Sequence, residues 1–160
     1  SMAQLYAQML LKGKPLNRPR EKMMWAVLAS GSAKDVLARF NEAFNAIDYE
    51  NYPVVDEASC RAFLQVLLIG SDLVPVVENH TALGRSDLEV PAGPHHWVFE
   101  LKYTADGRGE EKLLKEAVEQ VKGRRYGQTP HGGELIRVAM VFNGKTRSFE
   151  KWQVVPEVVA

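Results

Sequence analysis

The sequence predicts an α/β fold of order α-β-β-β-α-β-β behind a helical lead-in, and three observations carry that expectation. Apolar residues recur at a helical period through residues 57–69 and 110–122. Short β-prone runs bounded by glycine, proline or asparagine fill the intervals between and after them. The second helical stretch separates two groups of strands, which favours a sheet with helices layered against it over a helical bundle.

Residues 2–11 place apolar side chains at 2, 5, 6, 9 and 10, close to one helical face. Gly13, Pro15 and Pro19 break that pattern. A helical run resumes over 23–29, and Ser32 stands where it can cap a helix over 33–46. The apolar stripe of that helix is Val36, Leu37, Phe40, Ala43, Phe44 and Ile47. Residues 48–53 (DYENYP) read as a connector. Residues 1–50 are therefore expected to form a helical lead-in, the end of a preceding region, with the main domain over 51–160. The helix over 57–69 turns Phe63, Leu64, Leu67 and Leu68 inward and ends at Gly70. Strands are expected over 73–77, 84–90 and 97–103, with the Pro91-Ala92-Gly93-Pro94 turn before the third. Asp106-Gly107-Arg108-Gly109 ends that strand, and a helix follows over 110–122 with apolar positions 113, 114, 117, 118 and 121. After a loop over 127–133, strands over 135–142 and 149–155 flank Asn143-Gly144, a hairpin signal.

Composition narrows the function classes. Of 160 residues, 46% are hydrophobic and 25% charged, enough for a packed core and too apolar for disorder. Twenty Lys/Arg cancel twenty Asp/Glu, which removes any whole-molecule case for binding a polyanion. The charge is unevenly spread: residues 101–160 carry eleven basic against eight acidic side chains, and residues 1–100 nine against twelve. A single cysteine, Cys60, excludes an internal disulfide framework and a cysteine-based zinc knuckle and fits a reducing compartment. Apolar runs such as 23–29 and 66–69 are far shorter than the roughly 20 residues of a membrane helix. With no charged-then-apolar signal peptide at the start, the expectation is a cytoplasmic domain without a membrane partner.

The stretch that carries chemistry runs from Gly84-Arg85-Ser86-Asp87 to Glu100-Leu101-Lys102. Alternation along a strand puts Val98, Glu100 and Lys102 on one face and Phe99, Leu101 and Tyr103 on the other. An acid and a lysine inside an apolar strand are costly unless they face a site or a partner. Asp87 lies on the preceding strand, and a short turn would bring it beside Glu100. Two adjacent carboxylates repel, and a hard divalent cation relieves that repulsion: Mg²⁺ takes one or two carboxylates together with waters and phosphate oxygens. Lys102 on the same face can orient or deprotonate the attacking water and stabilise charge on the phosphoryl group. Such a set suits phosphodiester hydrolysis.

Asp87, followed twelve residues later by Glu100-Leu101-Lys102 and bracketed by helices, resembles the PD-(D/E)XK, or restriction-endonuclease-like, nuclease superfamily. Residues 45–49, 57–61, 84–88 and 98–102 are most similar to the nuclease-like C-terminal domain that follows AAA-type ATPase regions in microbial proteins. The resemblance spans about residues 44–142. It implies a restriction-endonuclease-like mixed sheet flanked by helices, with Asp87, Glu100 and the Leu101 carbonyl as ligands of Mg²⁺ or Mn²⁺. It further implies Lys102 as catalytic lysine, Glu57 as auxiliary acid and Gln120, with Tyr126, as second-helix polar residues. DNA is the implied substrate and an AAA-type ATPase region, in the same or another chain, the implied partner. Three positions depart from the pattern: Ser86 replaces the proline of the superfamily's name, Arg61 stands where relatives carry histidine, and Gln120 and Tyr126 are six apart rather than four. No GxxxxGK[ST] motif occurs in the chain.

Each residue also has a plainer reading. Asp87 can cap a turn, and Glu57 can be a first-turn acid favoured by the helix dipole. Glu100 and Lys102 can be a solvent-facing pair on an edge strand, although the hydrophobicity of 97–103 argues for a central one. Gln120 can bond to the core. His80, His95, His96 and His131 read as surface residues, and Lys122-Gly123-Arg124-Arg125 as solvated cations or phosphate contacts. The function expected is metal-dependent hydrolysis of DNA. The rival is a non-cleaving nucleic-acid-binding or interaction module, and a homodimer through the Asn143-Gly144 hairpin edge is a further expectation.

Overall fold

The apolar run ahead of Thr104 becomes the middle strand of a five-stranded sheet. In the computed structural model, residues 2, 5, 6, 23–80, 85–123 and 133–156 are described, with backbone alone for 77–80 and 85–87. Helices α1 (Met24–Ser30), α2 (Ala33–Asn45) and α3 (Glu57–Ile69) precede strands β1 (Val76–His80), β2 (Arg85–Ala92) and β3 (His95–Thr104). Helix α4 (Glu110–Lys122) then crosses to β4 (Glu134–Asn143) and β5 (Ser148–Val155). The strands lie side by side in chain order. Only β3 and β4 run parallel; the other neighbours are antiparallel. This is the expected α-β-β-β-α-β-β order and a mixed sheet of restriction-endonuclease-like type. The expected helix over 2–11 and the loop over 127–133 fall mostly outside the described residues, as do Tyr126, Arg124, Arg125 and His131.

Two boundaries differ from expectation for a backbone reason. Strand β1 starts at Val76 rather than at 73, because Pro75 has no N–H to give to a ladder. Leu73 is buried instead as the last link of α3, its N–H donating to the Leu68 carbonyl at 3.1 Å. Strand β2 runs on through Pro91 to Ala92, and its last β1 partner is Val76, opposite Glu89. The proline thus sits where no ladder is broken on that side. The turn into β3 shrinks to Gly93-Pro94, with Gly93 at φ 57°, a left-handed conformation that glycine adopts without strain.

The sheet has two unlike faces. Trp97, Phe99 and Leu101 of β3, with Val138, Met140 and Phe142 of β4, face α1, α2 and α3 in one large core. Phe44 packs edge-on to Phe149 at 5.4 Å and against Phe142 at 5.0 Å, so α2 is built into the sheet's own core. Trp97 Nε1 donates to the Leu28 carbonyl at 2.7 Å, tying α1 to the middle strand. The opposite face is smaller: Ala117, Val118 and Val121 of α4 cover Ala139 and Val155. Beyond the sheet, Asn41 of α2 both donates to the Phe149 carbonyl and accepts its N–H, covering part of the β5 edge. Among the described residues no helix is long and apolar enough to cross a membrane.

Candidate active site

Glu100 and Lys102 belong to the α4 face. Glu100 pairs with Ala139 and Lys102 with Val141 in the parallel ladder, and Ala139 is part of the cluster beneath α4. Both are buried, Glu100 at 2% and Lys102 at 8% exposure, and Lys102 Nζ lies 4.0 Å from Glu100 Oε1. Taking two opposite charges out of water costs more than their attraction alone returns in most settings. Their place on an otherwise apolar strand is therefore weak evidence of a stabilising device and makes the pair a candidate for a site.

Strand pairing shows what opens beside them. Strand β2 pairs with β3 from Ala92, opposite His95, to Leu88, opposite Phe99, and no further. Beyond that point β2 continues with β1, from Asp87 opposite Glu78 to Arg85 opposite His80. Strand β3 continues with β4, from Glu100 opposite Ala139 to Thr104 opposite Asn143. The sheet therefore forks after Leu88 and Phe99. Asp87 is the first residue on one arm and Glu100 the first on the other, and one more step of the β2–β3 register would set them opposite each other. Leu101 follows in the fork, its side chain in the large core and its backbone between the two acid-bearing and lysine-bearing residues.

Gln120 lies near the end of α4, whose inner stripe is Ala117, Val118 and Val121. Its Oε1 is buried and has no hydrogen-bond partner among the described residues. The right-handed sense of parallel crossovers turns the flank of α4 that bears Gln120 toward β2, hence toward the fork. Glu57 stands apart. It opens α3, which packs on the opposite face of the sheet, and its charged partner among the described residues is Arg61, 3.7 Å away on the next helical turn. Along the backbone, Asp87 lies on one arm of the fork and Glu100, Leu101 and Lys102 on the other, while Gln120 lies on the helix that covers this face and Glu57 on a helix of the opposite face.

Three side chains on the α4 face were not singled out from the sequence as part of a site. His96 Nε2 meets Glu89 Oε2 at 2.9 Å, with both side chains largely buried, and the surface reading of His96 is corrected. His95, on the other face, sits 2.9 Å from the Leu28 carbonyl, so it too is a structural residue. Alternation from Glu100 would have placed His96 on the site face. The third is Arg137, buried at 6% exposure on β4 opposite Val98; a charge inside the apolar run LIRVAMVF is the same signal that Glu100 gives. Among the described side chains, which exclude Asp87 and Glu78, no three metal-binding donors gather.

A mixed sheet that forks beside a buried acid–lysine pair, with an Asp…Glu-x-Lys sequence along its arms, defines a nuclease-like domain. The chain belongs to the PD-(D/E)XK nuclease superfamily, whose sequence model matches residues 56–152. That span covers α3 through most of β5, more than half of the chain. A comparison with curated proteins finds no match.

Proposed function

We propose that the domain hydrolyses phosphodiester bonds of DNA with Mg²⁺ or Mn²⁺, using the fork between β2 and β3 as its active site. The divergence of the two strands after Leu88 and Phe99 carries this reading, because it opens the sheet between the backbone positions of Asp87 and Glu100, two residues ahead of Lys102. The donor chemistry fits a hard divalent cation: two carboxylates and the Leu101 carbonyl are oxygen ligands. Asp87 and Glu100 against one ammonium leave one negative charge in excess, which repels a phosphate until a dication reverses it. When bound, the ion would polarise the phosphoryl group and acidify the attacking water.

The chain's own residues do the rest. Glu100, fixed in the sheet by its β4 neighbour, orients the charges at the mouth of the fork. Lys102 places its ammonium where negative charge grows on the non-bridging phosphoryl oxygens. Water attacks phosphorus, a new P–O bond forms as the bridging P–O bond breaks, and the leaving oxygen takes up a proton. Gln120 offers a buried amide over the fork. Glu57 takes no part at the reacting phosphate. The same reading carries an AAA-type ATPase region as partner and the cytoplasm as working compartment. A homodimer through the β5 edge would appear as a concentration-dependent elution volume in gel filtration.

Incubating plasmid with the protein and Mg²⁺ or Mn²⁺ beside Lys102→Ala and Glu100→Gln tests the proposal. Cleavage by the unsubstituted protein alone supports it. Equal cleavage by all three assigns the activity to a contaminant. Intact plasmid with a melting temperature indifferent to Mg²⁺ favours the non-cleaving binding module.

A further inference from the structure

Beyond the fork, the α4 face holds a further buried charge, Arg137, with a different set of partners. Arg137 donates from Nη1 to the Val121 carbonyl at 3.5 Å and from Nη2 to the Pro156 carbonyl. Its Nε is buried without a hydrogen-bond partner among the described residues. No acid stands among these contacts, so the guanidinium is answered by carbonyl oxygens at the C-terminal end of α4 and at the end of β5. A cation belongs there, since the helix dipole turns its negative end to that terminus.

The other end of α4 is fastened in the same manner. Asn143 Nδ2 donates to Glu110 Oε1, and Thr104 Oγ1 donates to the Arg108 carbonyl at 2.9 Å. Thr104 and Asn143 are buried partners at the end of the β3–β4 ladder, and Arg137 occupies the same face of β4 six residues earlier. Polar residues of the sheet thus pin α4 at both termini. Gln120 precedes Val121, the residue that Arg137 holds, and carries the unpartnered buried Oε1.

We infer that Arg137 is a positioning residue of the site: by gripping the last turn of α4 and the end of β5, it holds the Gln120 amide at a set height over Glu100 and Lys102. This rests on reading the fork as the nuclease site. An arginine is needed because its planar guanidinium reaches two acceptors from different elements, which the point charge of lysine does not.

A double-substitution cycle tests it with four proteins: unsubstituted, Arg137→Lys, Gln120→Ala and the pair. Each is measured for single-turnover cleavage of a DNA duplex at saturating Mg²⁺ and for Mn²⁺ affinity by calorimetry. Arg137→Lys is expected to slow the single-turnover rate about 10-fold, the lower range seen when an outer-shell partner is lost, with KM for DNA unchanged. In the Gln120→Ala background the same change should have almost no effect. An equal factor in both backgrounds, or a lowered melting temperature with an unchanged rate, assigns Arg137 to stability alone and overturns the inference. If Arg137→Lys does not fold, Arg137→Gln, which keeps one donor for the Val121 carbonyl, runs the same cycle. A protein that binds Mn²⁺ without cleaving DNA refutes the hydrolase reading but not this one, because the affinity cycle still decides it. One that does neither refutes both.

Discussion

Replacing Lys102 by methionine keeps a long apolar stem and removes the charge that faces Glu100. At 4.0 Å, two unit charges attract by about 4 kcal/mol at the effective dielectric of roughly 20 that suits protein sites. Water entering the fork and relaxation of the stems reduce the share that appears as coupling to about 1–3 kcal/mol. Each charge has also lost hydration, so a single substitution leaves its partner buried beside a neutral neighbour, the expensive case. Lys102→Met and Glu100→Gln should each destabilise the metal-free protein, whereas the double variant should match or exceed the unsubstituted chain. A domain of this size moves its melting temperature by about 2–4 °C per kcal/mol, so the pattern is readable by calorimetry and by urea unfolding in EDTA. Cleavage should fall about 10²–10³-fold in Lys102→Met, the usual cost of losing one group aimed at developing charge. Strictly additive losses in the two single variants would refute the reasoning, because the buried pair would then be energetically uncoupled.

The remaining predictions follow from other parts of the structure. Glu57→Gln should leave plasmid cleavage unchanged, since Glu57 lies behind the sheet and its link to Arg61 is a surface pair worth a few tenths of a kcal/mol at most; a loss comparable to that of Glu100→Gln would bring Glu57 into the site. Stability should decline at alkaline pH: burial raises the Cys60 thiol and the Tyr49 hydroxyl, so the folded state keeps protons that the unfolded chain sheds above about pH 8.5 for Cys60 and about pH 10 for Tyr49. That stability is complete below those values and is lost as pH rises, by up to about 1.4 kcal/mol per pH unit for each group, and Cys60→Ala should flatten the urea-midpoint profile between pH 8.5 and 10. Trp97→Phe removes the hydrogen bond to the Leu28 carbonyl and some buried volume, and should cost about 1–2 kcal/mol in urea unfolding. An unchanged midpoint would mean that α1 is not tied to the sheet through that contact.

How much of this was legible in the sequence depends on which forces decided each element. Strand β3 was legible because alternation alone separates Trp97, Phe99 and Leu101 from Val98, Glu100 and Lys102, and both sets found the faces that alternation requires. The β4–β5 hairpin was legible in outline, yet its turn works differently from a two-residue asparagine–glycine turn. Asn143 Oδ1 accepts from the N–H groups of Lys145 and Thr146, and Arg147 supplies the left-handed residue at φ 57°. Gly144 serves another need there: a Cβ on it would meet the Tyr103 hydroxyl at 2.6 Å. Strand β1 starts later than the apolarity over 73–77 suggests, because in the fold the missing N–H of Pro75 outweighs that apolarity.

The candidate site was legible only as far as one strand reaches. Glu100 and Lys102 are neighbours by alternation, and Asp87 was expected beside them through a short turn, whereas the β2–β3 ladder ends one pair earlier, at Leu88 and Phe99. The fork itself is set by which partner each strand keeps: β2 follows β1 beyond Leu88 and β3 follows β4 beyond Phe99, and no local pattern encodes that choice. The same holds for the helices. Glu57 opens one amphipathic helix and Gln120 lies near the end of another, and α3 packs with the large core while α4 packs with the small one. The two polar residues therefore stand on opposite sides of the sheet, and under the proposed function only the one that shares a face with Glu100 and Lys102 can act with them.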